Sequence, residues 1–161
     1  MVKIIDYDEK FLNQIEILDG DYWGRNSQEK YGDTINEHSL IKLAIEDNKL
    51  IGLIHCQIIG DLLDIYHLLI QQDYQKRGIG TLLMNAIMEE VDKRNIQNSI
   101  ANAVITKGEH MNAEKILLHF GYQEMYRVND YWHSLEPDIY CSACKSNNCK
   151  CGSAFFLKHF K

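Results

Sequence analysis

An apolar run, a glycine turn and an amphipathic helix follow one another from Leu62 to Arg94, and this succession restricts the folds open to the chain more than any other feature. The run LLDIYHLLI reads as the strongest strand signal in the sequence. The turn QQDYQKRGIG carries Gln75-Lys76-Arg77-Gly78-Ile79-Gly80, and in the segment after it Leu83, Ala86, Ile87 and Val91 recur at helical spacing. Glycine takes up φ > 0 at little steric cost and lets a backbone close on a ligand. Free amides at a helix start, at the positive end of its dipole, form an anion site. The turn is therefore read as a cradle for a phosphate or pyrophosphate. Two other glycine-rich phosphate motifs fit poorly. A dinucleotide fingerprint needs a small residue where Leu83 stands, and a P-loop needs a following Lys-Ser/Thr pair.

The length of 161 residues predicts one domain, residues 1–161, with room for a genuine core. No apolar run approaches membrane-spanning length, and the start MVKIIDYDEKF lacks the apolar core of a secretion signal, so no membrane partner and a cytoplasmic location are expected. A net charge of −6 with scattered basic residues argues against nucleic acid as a partner. It suits a cationic partner such as an amine, a solvated acidic surface being the plainer reading. The single proline and the lack of low-complexity sequence leave no linker, and no internal repeat is visible.

Along the chain, Lys3 to Tyr7 predicts a strand and Asp8 to Leu18 a helix capped by Asp8. Asp19 to Ser39 reads as a polar, aromatic segment of loops with a short helix. Leu40–Glu46 and Leu50–Ile59 predict an antiparallel pair turning at Asp47-Asn48-Lys49, and Gly60-Asp61 then turns into the Leu62 strand. Ser99–Ile105 predicts a strand broken by Lys107-Gly108. Met111–Phe120 predicts a helix with Ala113, Ile116, Leu117 and Phe120 on one face and Gly121 at its end. Glu124–His133 and Ser153–Phe160 predict the last strands. The order implies an α/β fold, a mixed sheet with helices on both faces.

With this order, and with Gln75 to Gly80 closing the third strand of a meander, the chain resembles the GCN5-related N-acetyltransferase (GNAT) superfamily. Its signature is Gln/Arg-x-x-Gly-x-Gly/Ala after the fourth strand. The segment from Ala113 to Phe120-Gly121-Tyr122 is similar to the family's fourth helix and its Gly-Phe/Tyr end. The resemblance covers Met1 to about His133 and resumes at Ser153. It implies the GNAT acyl-CoA N-acyltransferase fold, with a mostly antiparallel sheet, and the transfer of an acetyl group from acetyl-CoA directly to an amine acceptor, a small molecule or a peptide. It further implies that backbone amides of Lys76, Arg77, Gly78, Gly80 and Thr81 hold the pyrophosphate, with Ile79 inside the turn and Gln75 shaping it. The pantetheine arm would pair like an added strand with Leu68, Leu69 and Ile70, where the fourth and fifth strands splay apart. Folds of this kind often pair, so a homodimer is a further expectation.

Direct transfer needs a proton acceptor for the amine, and a carboxylate or histidine can serve. Asp64 matches the strand-four position where some family members carry a catalytic Glu; its plain alternative is a strand carboxylate facing solvent. His67 is a second candidate, expected on the opposite face of the strand because it lies three residues on; a satisfied or exposed histidine is the alternative. The family's usual general acid, a Tyr four residues before the helix-ending Gly, is replaced here by Leu117, which reads as core. Another group or solvent then protonates the thiolate, or the chain is a non-catalytic acyl-CoA-binding or regulatory module. Tyr22, Trp23 and Tyr31 could line the acceptor pocket and hold a small cation, or simply pack on the surface.

Four cysteines, Cys141, Cys144, Cys149 and Cys151, fall within eleven residues, with turn formers at Pro137 just before them and at Asn147-Asn148 among them. In a reducing compartment such a set reads as metal-binding, and four thiolates give zinc a closed, structural site. An iron–sulfur cluster, a redox pair at Cys141 and Cys144, or free thiols are the competing readings, the second making a metal or redox sensor. Residues 137–152 would form a knuckle inserted between the last two strands. Cys56 reads as a core cysteine.

Overall fold

The computed structural model describes residues 1–23, 30–106, 113–135, 137–138 and 140–161. Among these, seven strands form one sheet: β1 (Lys3–Asp6), β2 (Ser39–Glu46), β3 (Lys49–Ile59), β4 (Leu62–Ile70), β5 (Asn98–Ile105), β6 (Gln123–Val128) and β7 (Gly152–His159). Their order across the sheet is β1-β2-β3-β4-β5-β7-β6. The β2–β3 hairpin turns on Asp47 and Asn48, both at positive φ (50° and 62°), and so pairs Glu46 with Lys49. Gly60, at φ 62°, closes the next hairpin. These two turns set the meander that the sequence predicts. Every neighbouring pair is antiparallel except β4 and β5, which run parallel and pair only over Leu62–Ile65 and Asn98–Ala101. Beyond Ile65 the two strands part, and β7 enters antiparallel between β5 and β6.

Helices cover both faces. On one face α1 (Leu12–Trp23) buries Ile15 and Leu18, with Phe11 and Tyr31, against Ile41, Leu43, Leu53 and Leu69. On the other, α2 (Ile79–Arg94) buries Leu83, Met84, Ile87 and Val91 against Ala44, Ile54, Cys56, Leu63 and Ala101. Each such side chain contributes roughly 1.5–3 kcal/mol on leaving water. Leu117, on the short helix α3 (Glu114–His119), joins this second core, as does Cys56. No described helix is long and apolar enough to cross a membrane.

Three elements depart from the expectations. First, α1 does not end at Leu18 but runs to Trp23, after a single 3-10 turn at Glu9–Phe11 capped by Asp8. Gly20 costs the helix about 1 kcal/mol, but the Tyr22 hydroxyl reaches the Ile70 carbonyl at 3.0 Å and anchors the added turn. Second, the strand predicted over Glu124–His133 stops at Val128. Asp130 takes a left-handed conformation (φ 51°), and Tyr131–Leu135 form a short helix, α4. Third, β4 carries a bulge. His55 lies opposite His67, Cys56 opposite Ile65 and Gln57 opposite Asp64, so Tyr66 is an extra residue. Directly opposed residues share a sheet face, and His55 and Gln57 share one. Asp64 and His67 therefore project to the same face, not to opposite ones as strict alternation predicts. A fourth difference lies between Asp19 and Ser39, where the described residues hold the end of α1 and a 3-10 turn at Tyr31–Thr34 in place of a separate short helix. Lys107, Gly108 and Met111 lie outside the described residues.

Candidate functional site

The glycine turn sits where β4 hands over to α2. After a 3-10 turn at Gln72–Tyr74, Lys76 (φ 60°) and Gly78 (φ 78°) both take left-handed backbone, and Gly78 caps α2. Leu82 donates the first helical hydrogen bond to the Gly78 carbonyl, so the amides of Ile79, Gly80 and Thr81 precede the ladder. A Cβ on Gly78 would meet no atom within 4 Å, whereas one on Gly80 would stand 3.0 Å from Ile116 Cδ1. The first glycine thus keeps the outer side of the turn open, and the second lets α3 close on α2. Gln75 donates from Nε2 to the Tyr22 hydroxyl at 2.7 Å and to the Ile70 carbonyl at 3.3 Å, which ties the turn to the ends of β4 and α1. A depression of about 280 Å³ beside the helix start is lined by Thr81, Lys115, Ile116 and His119. Lys76, Arg77 and Lys115 are the basic residues of the turn and the depression, with Arg77 lying over the Tyr74 ring at 4.9 Å and 3.6 Å from the Glu46 carboxylate.

Leu68, Leu69 and Ile70 lie past the point where β4 and β5 part. Their strand faces β3 on one edge and has no strand partner on the other among the described residues. The Ile70 carbonyl is already taken by Tyr22 and Gln75. At the mouth of the opening, half-buried Asp64 borders a cavity of about 360 Å³ with Ile100, Asn102, Tyr126, Phe155 and Leu157. Burial pushes its carboxyl above the usual range.

His67 sits in an aromatic enclosure on the same face. Its ring stacks on Trp23 (5.9 Å between centroids) and lies near Tyr66 (4.5 Å), Tyr31 (5.8 Å) and His55 (6.4 Å). Burial, and then the His55 ring, bring its pKa down to about 4. Asp19, on the last turns of α1, is pushed up to about 6 by burial. Its Oδ1 lies 3.7 Å from His67 Nδ1, beyond hydrogen-bond range, and both atoms are buried without a partner. Both shifts run in the direction of desolvation, so these two are not a formed ion pair. Asp19 escapes a sequence reading that ends α1 at Leu18; the continuing Ile15, Leu18, Tyr22 spacing is the signal that extends the helix. Trp132, whose ring lies 6.1 Å from that of Trp23, escapes because its segment reads as strand.

The other candidates are placed as follows. Tyr31 is buried and bonded to His55, and Tyr22 turns its hydroxyl to the β4 end, so neither presents a free hydroxyl to an acceptor. Tyr122 is buried with its hydroxyl 2.7 Å from Ser99 Oγ, and His119 packs edge-on to Phe120.

The four predicted cysteines converge. Their sulfurs all lie within 4.8 Å of one another, with Cys141–Cys151 at 3.8 Å and Cys144–Cys151 at 3.6 Å. Zinc–sulfur bonds of about 2.3 Å at tetrahedral angles put sulfurs about 3.8 Å apart, so the set fits such an ion. Backbone amides of Cys144, Lys150 and Cys151 each approach a cysteine sulfur at 3.4 Å, as charged thiolates favour. Ser142 donates to the Tyr22 carbonyl at 2.7 Å and joins the segment to the end of α1.

The profile of the Acetyltransferase (GNAT) family matches residues 7–122. The chain belongs to this family. No curated protein gives a significant match. Among solved structures, the ribosomal-protein-S18-alanine N-acetyltransferase of Escherichia coli superposes with a TM-score of 0.77 at 14% identity, over 99% of this chain and 94% of that one. An IAA acetyltransferase from Bacillus cereus gives 0.73 at 13%, over 99% and 100%. An aminoglycoside 6'-N-acetyltransferase solved with coenzyme A gives 0.75 at 15%, over 98% and 96%. At these identities the likeness is one of fold, and it bears out the mixed sheet of the acyltransferase type.

Proposed function

We propose that this chain is an N-acetyltransferase that moves the acetyl group of acetyl-CoA to an amine by direct transfer. One observation carries the reading: past Ile65 the edge of β4, without a strand partner among the described residues, leads straight into a glycine turn whose first helical amides precede the hydrogen-bond ladder. The amides of Lys76 to Thr81 bind the pyrophosphate, and the Leu68–Ile70 edge receives the pantetheine arm at the amides and carbonyls that Tyr22 and Gln75 leave free. The thioester then reaches the bulge, where Asp64 and His67 share a face. Transfer is chiefly positioning and charge stabilisation. Calorimetry with acetyl-CoA, followed by thioester consumption with a panel of small amines and peptides, tests it; no binding of acetyl-CoA sinks it. Leu117, buried in the core where the family places its acid, supports a second reading: an acyl-CoA-binding module without turnover. Binding without consumption of thioester by any amine selects that reading.

The four cysteines hold one structural zinc that cross-links residues 141–151 ahead of β7. The thiols of Cys149 and Cys151 are pushed up by burial, and a bound cation would favour their thiolate forms. Metal analysis of the purified protein should find one zinc per chain, and Cys144→Ser should abolish it. A zinc-free protein with reversible thiol oxidation would instead favour a redox sensor.

A further inference from the structure

His55 and His67 face each other across β3 and β4 in one buried cluster, yet their bonding is opposite. His55 is satisfied at both ring nitrogens: Tyr31 Oη lies 2.9 Å from Nδ1, and Ser39 Oγ and Gln57 lie 3.0 and 3.1 Å from Nε2. That is how a structural core histidine is held. His67 Nδ1 is equally buried and has no partner, and the atom facing it at 3.7 Å, Asp19 Oδ1, has none either. Two unpaired buried polar atoms each cost about 1–3 kcal/mol, and here they are set against one another where the bulge turns His67 to the face it shares with Asp64.

We propose that Asp19 and His67 act as a carboxylate–imidazole pair, in which His67 takes the proton of the acceptor amine and Asp19 is the positioning residue that fixes its tautomer. This rests on the transferase reading above. Nδ1 carries its proton toward Asp19, which leaves Nε2 on the far side of the ring as the acceptor. The amine lone pair attacks the thioester carbonyl carbon and a C–N bond forms. The C–S bond breaks with its electron pair on sulfur, and the proton released from nitrogen passes to Nε2. The imidazolium, held beside the Asp19 carboxylate, returns that proton to solvent, from which the CoA thiolate is protonated. The groups facing His67 are Asp19 from α1, Tyr31 from its 3-10 turn, His55 from β3 and Tyr66 from β4, with Trp23 stacked on the ring. Only Asp19 among them can carry a negative charge at neutral pH. A carboxylate raised by burial and a histidine lowered by it are what an apo site of this kind shows before a charge develops on the ring.

The test compares the full-length protein with Asp19→Asn and His67→Gln, each measured for CoA affinity by calorimetry and for kcat/KM against pH. His67→Gln should lose about 100-fold or more in kcat and with it the acid limb of the profile. Asp19→Asn should lose at least roughly tenfold, with the limb moved to lower pH because the imidazolium loses its counter-charge. Both should keep CoA affinity within about twofold of the parent, which also shows that they fold. In the unsubstituted protein, long-range proton–nitrogen NMR near pH 7.5 should show the Nδ1–H tautomer of His67. An Nε2–H tautomer, or an Asp19→Asn variant with parental rate and limb, overturns the pair and leaves the transferase reading intact. If the parent protein binds no acetyl-CoA, the transferase reading falls and the pair falls with it.

Discussion

The turn from Gln75 to Thr81 is contiguous in sequence and offers backbone amides that precede the helical ladder, whereas the enclosure around His67 gathers side chains from α1, a 3-10 turn, β3 and β4. In the first, residue identity matters mainly through conformation: Gly78 supplies positive φ and an open outer side. In the second it matters through chemistry that long-range packing brings together, Asp19 meeting His67 from 48 residues away in the sequence. The anion cradle costs the fold little, since amides at a helix start are unpaired in any helix. The enclosure costs it more, since a carboxylate oxygen and an imidazole nitrogen are buried there without hydrogen-bond partners. The proposed co-substrate site and the proposed acceptor site would thus be made by different means within one molecule.

Four substitutions or conditions put this contrast under strain. Gly78→Glu has the largest expected effect: left-handed backbone costs roughly 1–2 kcal/mol for a side chain, and the carboxylate then stands before the pyrophosphate amides. Acetyl-CoA affinity should drop by about 100-fold or more, near 3 kcal/mol, while circular dichroism stays that of the folded chain; unchanged affinity breaks the assignment of the turn. Asp19→Asn should do the reverse, keeping affinity and raising stability. The carboxyl titrates near 6 in the folded chain against an ordinary 3.8, so its burial penalty is absent below about pH 3.8 and complete above about pH 6. A gain of roughly 1–3 kcal/mol is expected at pH 8 and close to none at pH 4, read from urea midpoints. A loss of stability at pH 8 would mean that Asp19 has a partner after all.

The third concerns the histidines. His55 and His67 titrate near 4 when folded against an ordinary 6.5, so each contributes fully above about pH 6.5 and loses its contribution as pH falls toward 4. In that window Asp19 works in the opposite sense. The Asp19→Asn/His67→Gln double variant should therefore show the fall in stability due to His55 alone, about half that of Asp19→Asn. An unchanged slope would place His67 in water rather than in the enclosure. Gly80→Ala should have the smallest effect. Alanine favours the helix by up to about 1 kcal/mol, and the flexible end of Ile116 must yield by a few tenths of an ångström to its Cβ. The two nearly cancel, leaving a shift in melting temperature of about 2 °C or less.

The sequence carried the meander, its two tight turns, the glycine turn, the cysteine set and the core role of Leu117 because each rests on local periodicity or on residues a few positions apart. It misplaced what depends on distant partners. Gly20 and the polar residues after it read as loop, yet residues 20–23 continue α1, where the Tyr22 hydroxyl meets the Ile70 carbonyl. Alternation put Asp64 and His67 on opposite faces, and the extra residue Tyr66 is visible only in the pairing of β4 with β3. Asn129-Asp130 is a turn signal inside an otherwise strand-like run, and there the chain leaves the sheet for α4.

The place of β7 has a consequence for the order in which this chain can be built. Of the strands it is latest in the chain, yet it lies between β5 and β6. Until Gly152–His159 emerges during synthesis, β5 and β6 each present an unfilled edge, the kind of surface that recruits foreign strands. The half of the sheet that parts from β4 is therefore completed only at the end, and the cysteine cluster just ahead of β7 is positioned to fix where that closing strand begins.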